Sequence, residues 1–180
     1  MLTRRQARRT EAGFTLIELL VVLAIIAVLY SLALAGYRHM RASAGESIAA
    51  ATLQTINQAQ FAFAQTCGDQ RYSPTLAGLA VPAPSTGSAF LSPDMAADPV
   101  IKSGYRFAMG GTASTDGRPA CNGLAPIVSY QITADPLVPG ASGNLSFGTN
   151  TDRVVYSDTT TFWENMPERG APGHGSEVKK

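Results

Sequence analysis

Residues 14–36 are an apolar run of 23 residues with a single carboxylate, that of Glu18. At about 1.5 Å of rise per residue a helix needs roughly 20 such residues to cross the hydrocarbon core of a bilayer, so the run is long enough to span it. Arg4, Arg5, Arg8 and Arg9 precede it against one acid, Glu11, and only Arg38 and Arg41 follow closely. That bias predicts a cytoplasmic N-terminus and places everything after Gly36 outside the cytoplasm.

Three fates are open to such a segment: a plain signal anchor, a secretory signal removed after the run, or a leader cut before it. Ala33-Leu34-Ala35 followed by Gly36 fits the small-residue site of an ordinary signal peptide. Against that, the apolar core exceeds the usual length of a signal core, and Glu18 would serve no purpose in one. An acid at membrane depth costs on the order of 3 kcal/mol, which argues for a function.

The segment Gly13-Phe14-Thr15-Leu16-Ile17-Glu18-Leu19-Leu20 resembles the class III signal of type IV pilins and pseudopilins. The resemblance implies that a membrane prepilin peptidase cuts between Gly13 and Phe14 and methylates the new amine of Phe14, with the apolar helix retained. It also implies polymerisation with copies of itself or other pilins, and an assembly platform with a motor ATPase. A charged Phe14 amine and Glu18, one turn along the helix, are both costly in lipid. Pairing the acid of one subunit with the amine of the next would cancel both charges at one axial stagger and so set register. The alternative is that Glu18 caps its own helix start or reaches the headgroups. Many pilins carry a glycine near Ala27 and a proline near Ala35; this chain has alanine at both, and Gly36 is the breaker nearby.

Helical patterning continues beyond the apolar run. No proline occurs from Phe14 to Ser73, and Ala49, Leu53, Ile56, Ala59 and Phe63 recur every three or four residues. One helix from Phe14 to about Gln65 would measure roughly 78 Å. Gly45, Cys67-Gly68-Asp69 and Tyr72-Ser73-Pro74 could bend or end it, with the last cluster the expected stop. Past Pro74 the pattern changes to short strands: Tyr105, Phe107 and Met109; Val128, Tyr130, Ile132 and Ala134; Leu145 and Phe147; Val154 and Tyr156. Turns are expected at Pro139-Gly140, Gly143-Asn144 and Asn150-Thr151-Asp152. The expectation is an α+β fold, a long N-terminal helix packed on a small antiparallel sheet. The segments Leu53-Gln54-Thr55-Ile56-Asn57, Tyr72-Ser73-Pro74 and Gly143-Asn144-Leu145-Ser146-Phe147 are similar to a pilin subgroup, extending the resemblance over most of residues 1–160. That subgroup ends its last turn with Asp-x-x-Gly, whereas Asn150-Thr151-Asp152-Arg153 has no glycine.

Cys67 and Cys121 are the only cysteines and, in this topology, lie outside the cytoplasm, where disulfides persist. They are expected to pair, two free thiols being the alternative. The formal net charge is +1, too small a field to hold nucleic acid by counterion release. Two histidines and two cysteines leave almost no material for a zinc site, and no cofactor motif stands out. His39 falls beside Arg38 and Arg41, where it would meet lipid headgroups or solvent, and His174 falls in a Gly-Pro-rich tail. Neither has a triad, so no enzymatic role is expected. Trp163, beside Phe162, is expected to pack on the sheet edge, with a neighbouring subunit as the alternative.

The sequence therefore divides into a leader (1–13), a membrane half of the helix (14–36), an amphipathic half (37–66), a head (67–168) and a tail of disordered composition (169–180). The expected function is a pilus subunit held in the inner membrane before assembly and in an extracellular fibre after it. A periplasmic pseudopilin of type II secretion is the first alternative, and a membrane-anchored or secreted monomeric binding domain the second.

Overall fold

The computed structural model describes residues 13–84 and 87–178. The chain divides into two units, one ending at Arg38 and one beginning at His39. Helix α1, Leu16–Thr66, has 51 residues. In the first unit its described apolar side chains are exposed, and its most apolar stretch reaches a mean hydropathy of 2.7 with none of it buried. By length and composition it can cross a membrane. The helix continues through Gly36, where an added Cβ would meet nothing within 4 Å. One glycine costs a helix about 1 kcal/mol, too little to break it.

In the second unit the expected stripe is the buried one: Ala49, Leu53, Ile56, Ala59 and Phe63 are all covered. The helix ends at Thr66, so Cys67-Gly68-Asp69 stops it and not Tyr72-Ser73-Pro74. The amides of Cys67 and Gly68 both donate to the Phe63 carbonyl at 2.8 Å, and Asp69 and Gln70 take positive φ of 51° and 64°. Only glycine fits at 68, because a Cβ there would fall on the Arg71 carbonyl and reach the Phe63 ring at 3.0 Å. Cys67 and Cys121 are disulfide-bonded, with Cα atoms 4.8 Å apart. Beside the bridge the Arg71 guanidinium holds Asp116 at 2.7 Å and the Arg118 carbonyl at 2.8 Å, fastening the loop that carries Cys121 to the helix end.

The head is one antiparallel sheet in sequence order: β1 (Val100–Lys102), β2 (Tyr105–Ala113), β3 (Ile127–Pro136), β4 (Ser146–Asn150), β5 (Val155–Asp158) and β6 (Ser176–Glu177). β2 to β4 stand where the alternation placed them; β5 lies in the expected place, but its buried residue is Val155, with Val154 and Tyr156 half-buried. β1 and β6 carry too few residues to show a period of two. Lys102 pairs with Tyr105 across Ser103 and Gly104, whose φ of 50° and 82° supply the left-handed turn that joins a tight hairpin. On β3 the inward set is Tyr130, Ile132 and Ala134 as expected, but Val128 is 40% exposed and Ile127 is buried. The register shift between Thr112 and Ala113 changes the pairing there. The glycine missing from the β4–β5 turn is replaced by Arg153 at φ 63°, whose guanidinium lies 4.5 Å over the Phe61 ring. That contact helps to hold an unfavourable backbone conformation.

One face of the sheet, with Tyr105, Phe107, Tyr130, Ile132, Ala134 and Phe147, closes on the α1 stripe to form a single core. Polar groups trapped there are satisfied. Asn57 Nδ2 donates to Thr149 Oγ1 at 2.8 Å and Asn57 Oδ1 accepts from the Tyr130 hydroxyl at 3.0 Å. Gln60 exchanges two bonds with the backbone of Ser73, at 2.9 and 3.0 Å.

The opposite face is covered by the C-terminal segment, a layer that composition did not suggest. Phe162 and Met166 are buried over Gly148, where a Cβ would stand 2.8 Å from Met166 Sδ and 3.0 Å from the Phe162 ring. Residues 169–178, expected to be disordered, are tied down instead. Asn150 Nδ2 donates to the carbonyls of Pro167 and Gly170, and the Gly170 amide donates to Asp152 at 2.6 Å. β6 pairs with β5, and Val178 joins the core. Glu168 accepts bonds from Ser129 and from Thr112. These partners lie far away in the chain, so Gly-Pro composition could not reveal them. Lys179 and Lys180 are outside the described residues.

Truncating Asn57 to alanine strands the Tyr130 hydroxyl in the core, removes a donor from Thr149 and should cost about 1–3 kcal/mol, read from the denaturation midpoint of the detergent-solubilised chain. Alkylation without reductant should leave the mass unchanged, and with reductant should add two groups; serine at either cysteine should cost roughly 4 kcal/mol for a closed loop of this length. The Thr160 amide and the His174 ring hold the Asp158 carboxyl down from 3.8 to about 2. Its folded pKa is depressed, so its contribution to stability is full above 3.8 and is lost as the pH falls through about 2. Thermal melts over that window should show the loss, and Asp158→Asn should flatten it.

Candidate functional site

The chemistry of the chain concentrates at the start of α1. Gly13, Phe14 and Thr15 precede the helix and are exposed, Phe14 at 82%. A Cβ on Gly13 would meet nothing within 4 Å, so nothing in the fold itself demands glycine there.

Thr15 and Glu18 form a reciprocal cap. The Thr15 amide and hydroxyl donate to Glu18 Oε2 at 3.0 and 2.7 Å, and the Glu18 amide donates to Thr15 Oγ1 at 3.3 Å. The Thr-x-x-Glu spacing is that of a capping box, which satisfies amides a helix start would otherwise leave unpaired. The acid also stands at the positive end of the helix dipole. Within one subunit, then, Glu18 caps its own helix. Both Thr15 bonds fall on Oε2, so Oε1 takes neither of them. The Thr15 partner was legible as a capping box but was not singled out from the sequence.

Phe14, Ile17, Glu18, Val21 and Val22 line a shallow groove of about 370 Å³ along the first turns. It is apolar except at the carboxylate, the surface a second apolar helix with one cationic group would complement. Leader residues 1–12, including the four arginines, lie outside the described residues.

Elsewhere the expected residues stand apart. Cys67 and Cys121 are consumed by their bond, and His39 is exposed. His174, assigned from composition to a loose tail, stacks on Phe162 with ring centres 4.7 Å apart. Its Nδ1 faces Asp158 at 3.1 Å and Thr160 at 3.2 Å. Both partners address the same ring nitrogen, whereas a hydrolytic relay needs the nucleophile on one nitrogen and the carboxylate on the other. Among the described residues no group of three or more His, Cys, Asp or Glu could hold a metal ion. Trp163 is 44% exposed, with the Arg106 guanidinium 4.7 Å above its ring, while its neighbour Phe162 is buried on the outer face of the sheet and not at its edge.

Comparison with known families matches residues 8–34 to the prokaryotic N-terminal methylation motif. No curated protein and no solved structure matches the chain. The match spans Arg8, Arg9, Gly13, Phe14, the Thr15–Glu18 cap and most of the apolar run. The chain thus carries the N-terminal methylation signal of type IV pilins and pseudopilins, a class of structural subunits, ahead of an α+β fold with a long helix packed on an antiparallel sheet.

Proposed function

We propose that this chain is a prepilin: a structural subunit stored in the inner membrane, cut after Gly13, methylated on Phe14 and polymerised through its N-terminal helix into a type IV pilus. The observation that carries the reading is a lone carboxylate, capped but half-used, on the first turn of an otherwise apolar helix inside a methylation motif. Cleavage creates a charged amine at Phe14. In the filament, Glu18 Oε1 accepts that amine from the adjacent subunit while Oε2 keeps Thr15. Two charges that are costly in lipid then neutralise each other only at one stagger, which sets the register of the polymer. Lipid tails are as apolar as leucine, so transfer of the helix from bilayer to fibre gains little from hydrophobicity. Packing and this pair supply specificity, and a motor ATPase acting through an assembly platform supplies the work.

In this reading residues 1–13 are the leader, 14–36 the membrane segment and 37–66 the part of the helix that carries the head, which extends through the C-terminal segment. The pseudopilin alternative differs in where the fibre ends, not in how the subunits join. Fibres visible on the cell surface when the subunit is expressed favour the pilus, and fibres confined to the periplasm the pseudopilus.

Intact-mass analysis of native material should find a chain beginning at Phe14 with one added methyl group. Glu18→Ala should be inserted and processed yet be missing from sheared filaments. A native chain beginning at Gly36, one still carrying the arginine-rich leader, or normal filaments from Glu18→Ala would overturn the proposal.

A further inference from the structure

A second constellation lies within the head. A cavity of about 390 Å³ opens on the outer face of the sheet between β2, the β3–β4 loop and the segment after β5. Arg106, Asp135, Asn144, Thr159, Thr161 and Trp163 are among its walls. Its size falls within the range of small-ligand sites.

Its polar groups are held in place. Asp135 is only 9% exposed, and its Oδ1 accepts the Thr161 hydroxyl at 2.7 Å. Thr161 Oγ1 in turn accepts the Trp163 amide at 3.1 Å, which fixes the turn that presents the indole. The other oxygen of Asp135, Oδ2, is buried with no hydrogen-bond donor. A buried acceptor without a donor is destabilising until one reaches it. Arg106 stands opposite Asp135 in the β2–β3 register, yet among the described residues no ion pair joins them, and the guanidinium lies over Trp163 instead. A buried acceptor, a preset aromatic plate and a cation spent on that plate are all wall groups of one cavity.

We propose that this cavity binds a neutral, hydroxyl-rich ligand, a saccharide. The one cation and the one anion among its walls cancel, so neither an acidic nor a basic ligand gains net attraction. The remaining polar walls are hydroxyls and an amide, which trade hydrogen bonds in both directions with sugar hydroxyls. Asp135 supplies the acceptor that lacks a donor. The exposed part of the indole offers an apolar plate for the C–H face of a pyranose ring, as half-exposed aromatic side chains with a polar surround do at binding sites. Nothing in this inference depends on filament formation.

Trp163 is the only tryptophan in the chain, so its fluorescence reports on this cavity alone. The purified, detergent-solubilised full chain is titrated with methyl glucoside, methyl galactoside, methyl mannoside and N-acetylglucosamine, with glucosamine and glucuronate as charged controls. At least one neutral sugar should give a saturable change in emission. Arg106→Ala, a surface change, and Asp135→Asn, which keeps the shape and the Thr161 bond, should each weaken it by about tenfold or more. Circular dichroism of both variants checks that the head is folded. Trp163→Phe should lose the saturation-transfer NMR signal of the same sugar. No saturable response to any neutral sugar, equal binding by both variants, or a response only to a charged control would overturn the proposal. None of these results bears on whether Glu18 directs assembly.

Discussion

The burial of one helical stripe beneath one sheet face is the interaction on which the head depends. Ala49, Leu53, Ile56, Ala59 and Phe63 have no partner of their own, and neither does the inward set of β2, β3 and β4. Each surface completes the other, the layered solution open to a single amphipathic helix and a small antiparallel sheet. Asn57 and Gln60 sit within that seam and add direction to it. Burial alone would tolerate a sliding helix, but Asn57 reaches Thr149 and Tyr130 at once and Gln60 reaches Ser73, so one axial position satisfies all of them.

The same helix carries the opposite problem at its start. There the described apolar side chains are exposed, and among the described residues the one acid bonds Thr15. A surface of that kind needs lipid or other helices around it. A single chain thus combines a part that is complete within itself with a part that is not, as the proposed role of a membrane-stored polymer subunit requires. The capping box makes the two proposed duties of Glu18 compatible. A cap that used both oxygens would have to break before a neighbour's amine could bind.

The outer face of the sheet shows how much a tail can contribute without any periodic pattern. Phe162 and Met166 fill the space left by Gly148, and Glu168, Asn150 and Asp152 fasten the segment on either side. That layer turns a one-sided sheet into one buried on both faces over part of its area, and it raises the turn bearing Trp163 above Arg106 and Asp135. The polar cavity exists because of this covering and not because of any local motif.

What the sequence alone determined is what local chemistry controls: an apolar run of membrane length, the arginine bias before it, the Gly13–Glu18 signal, the helical stripe and four alternating strands. Each is written in residues close together in the chain, with a period of 3.6 or 2, or as a short motif. Tertiary structure decided the rest, because the deciding partners are distant. Gly68 ends the helix since its Cβ would strike Arg71 and Phe63, and Arg153 accepts a glycine's backbone conformation beside Phe61. Ile127 turns inward in place of Val128 at a bulge, and Gly-Pro composition in residues 169–178 becomes ordered chain because Asn150, Asp152 and β5 receive it. Composition counts residues but carries no record of which backbone groups will find partners across the fold, and that accounting separates a loose tail from a third layer.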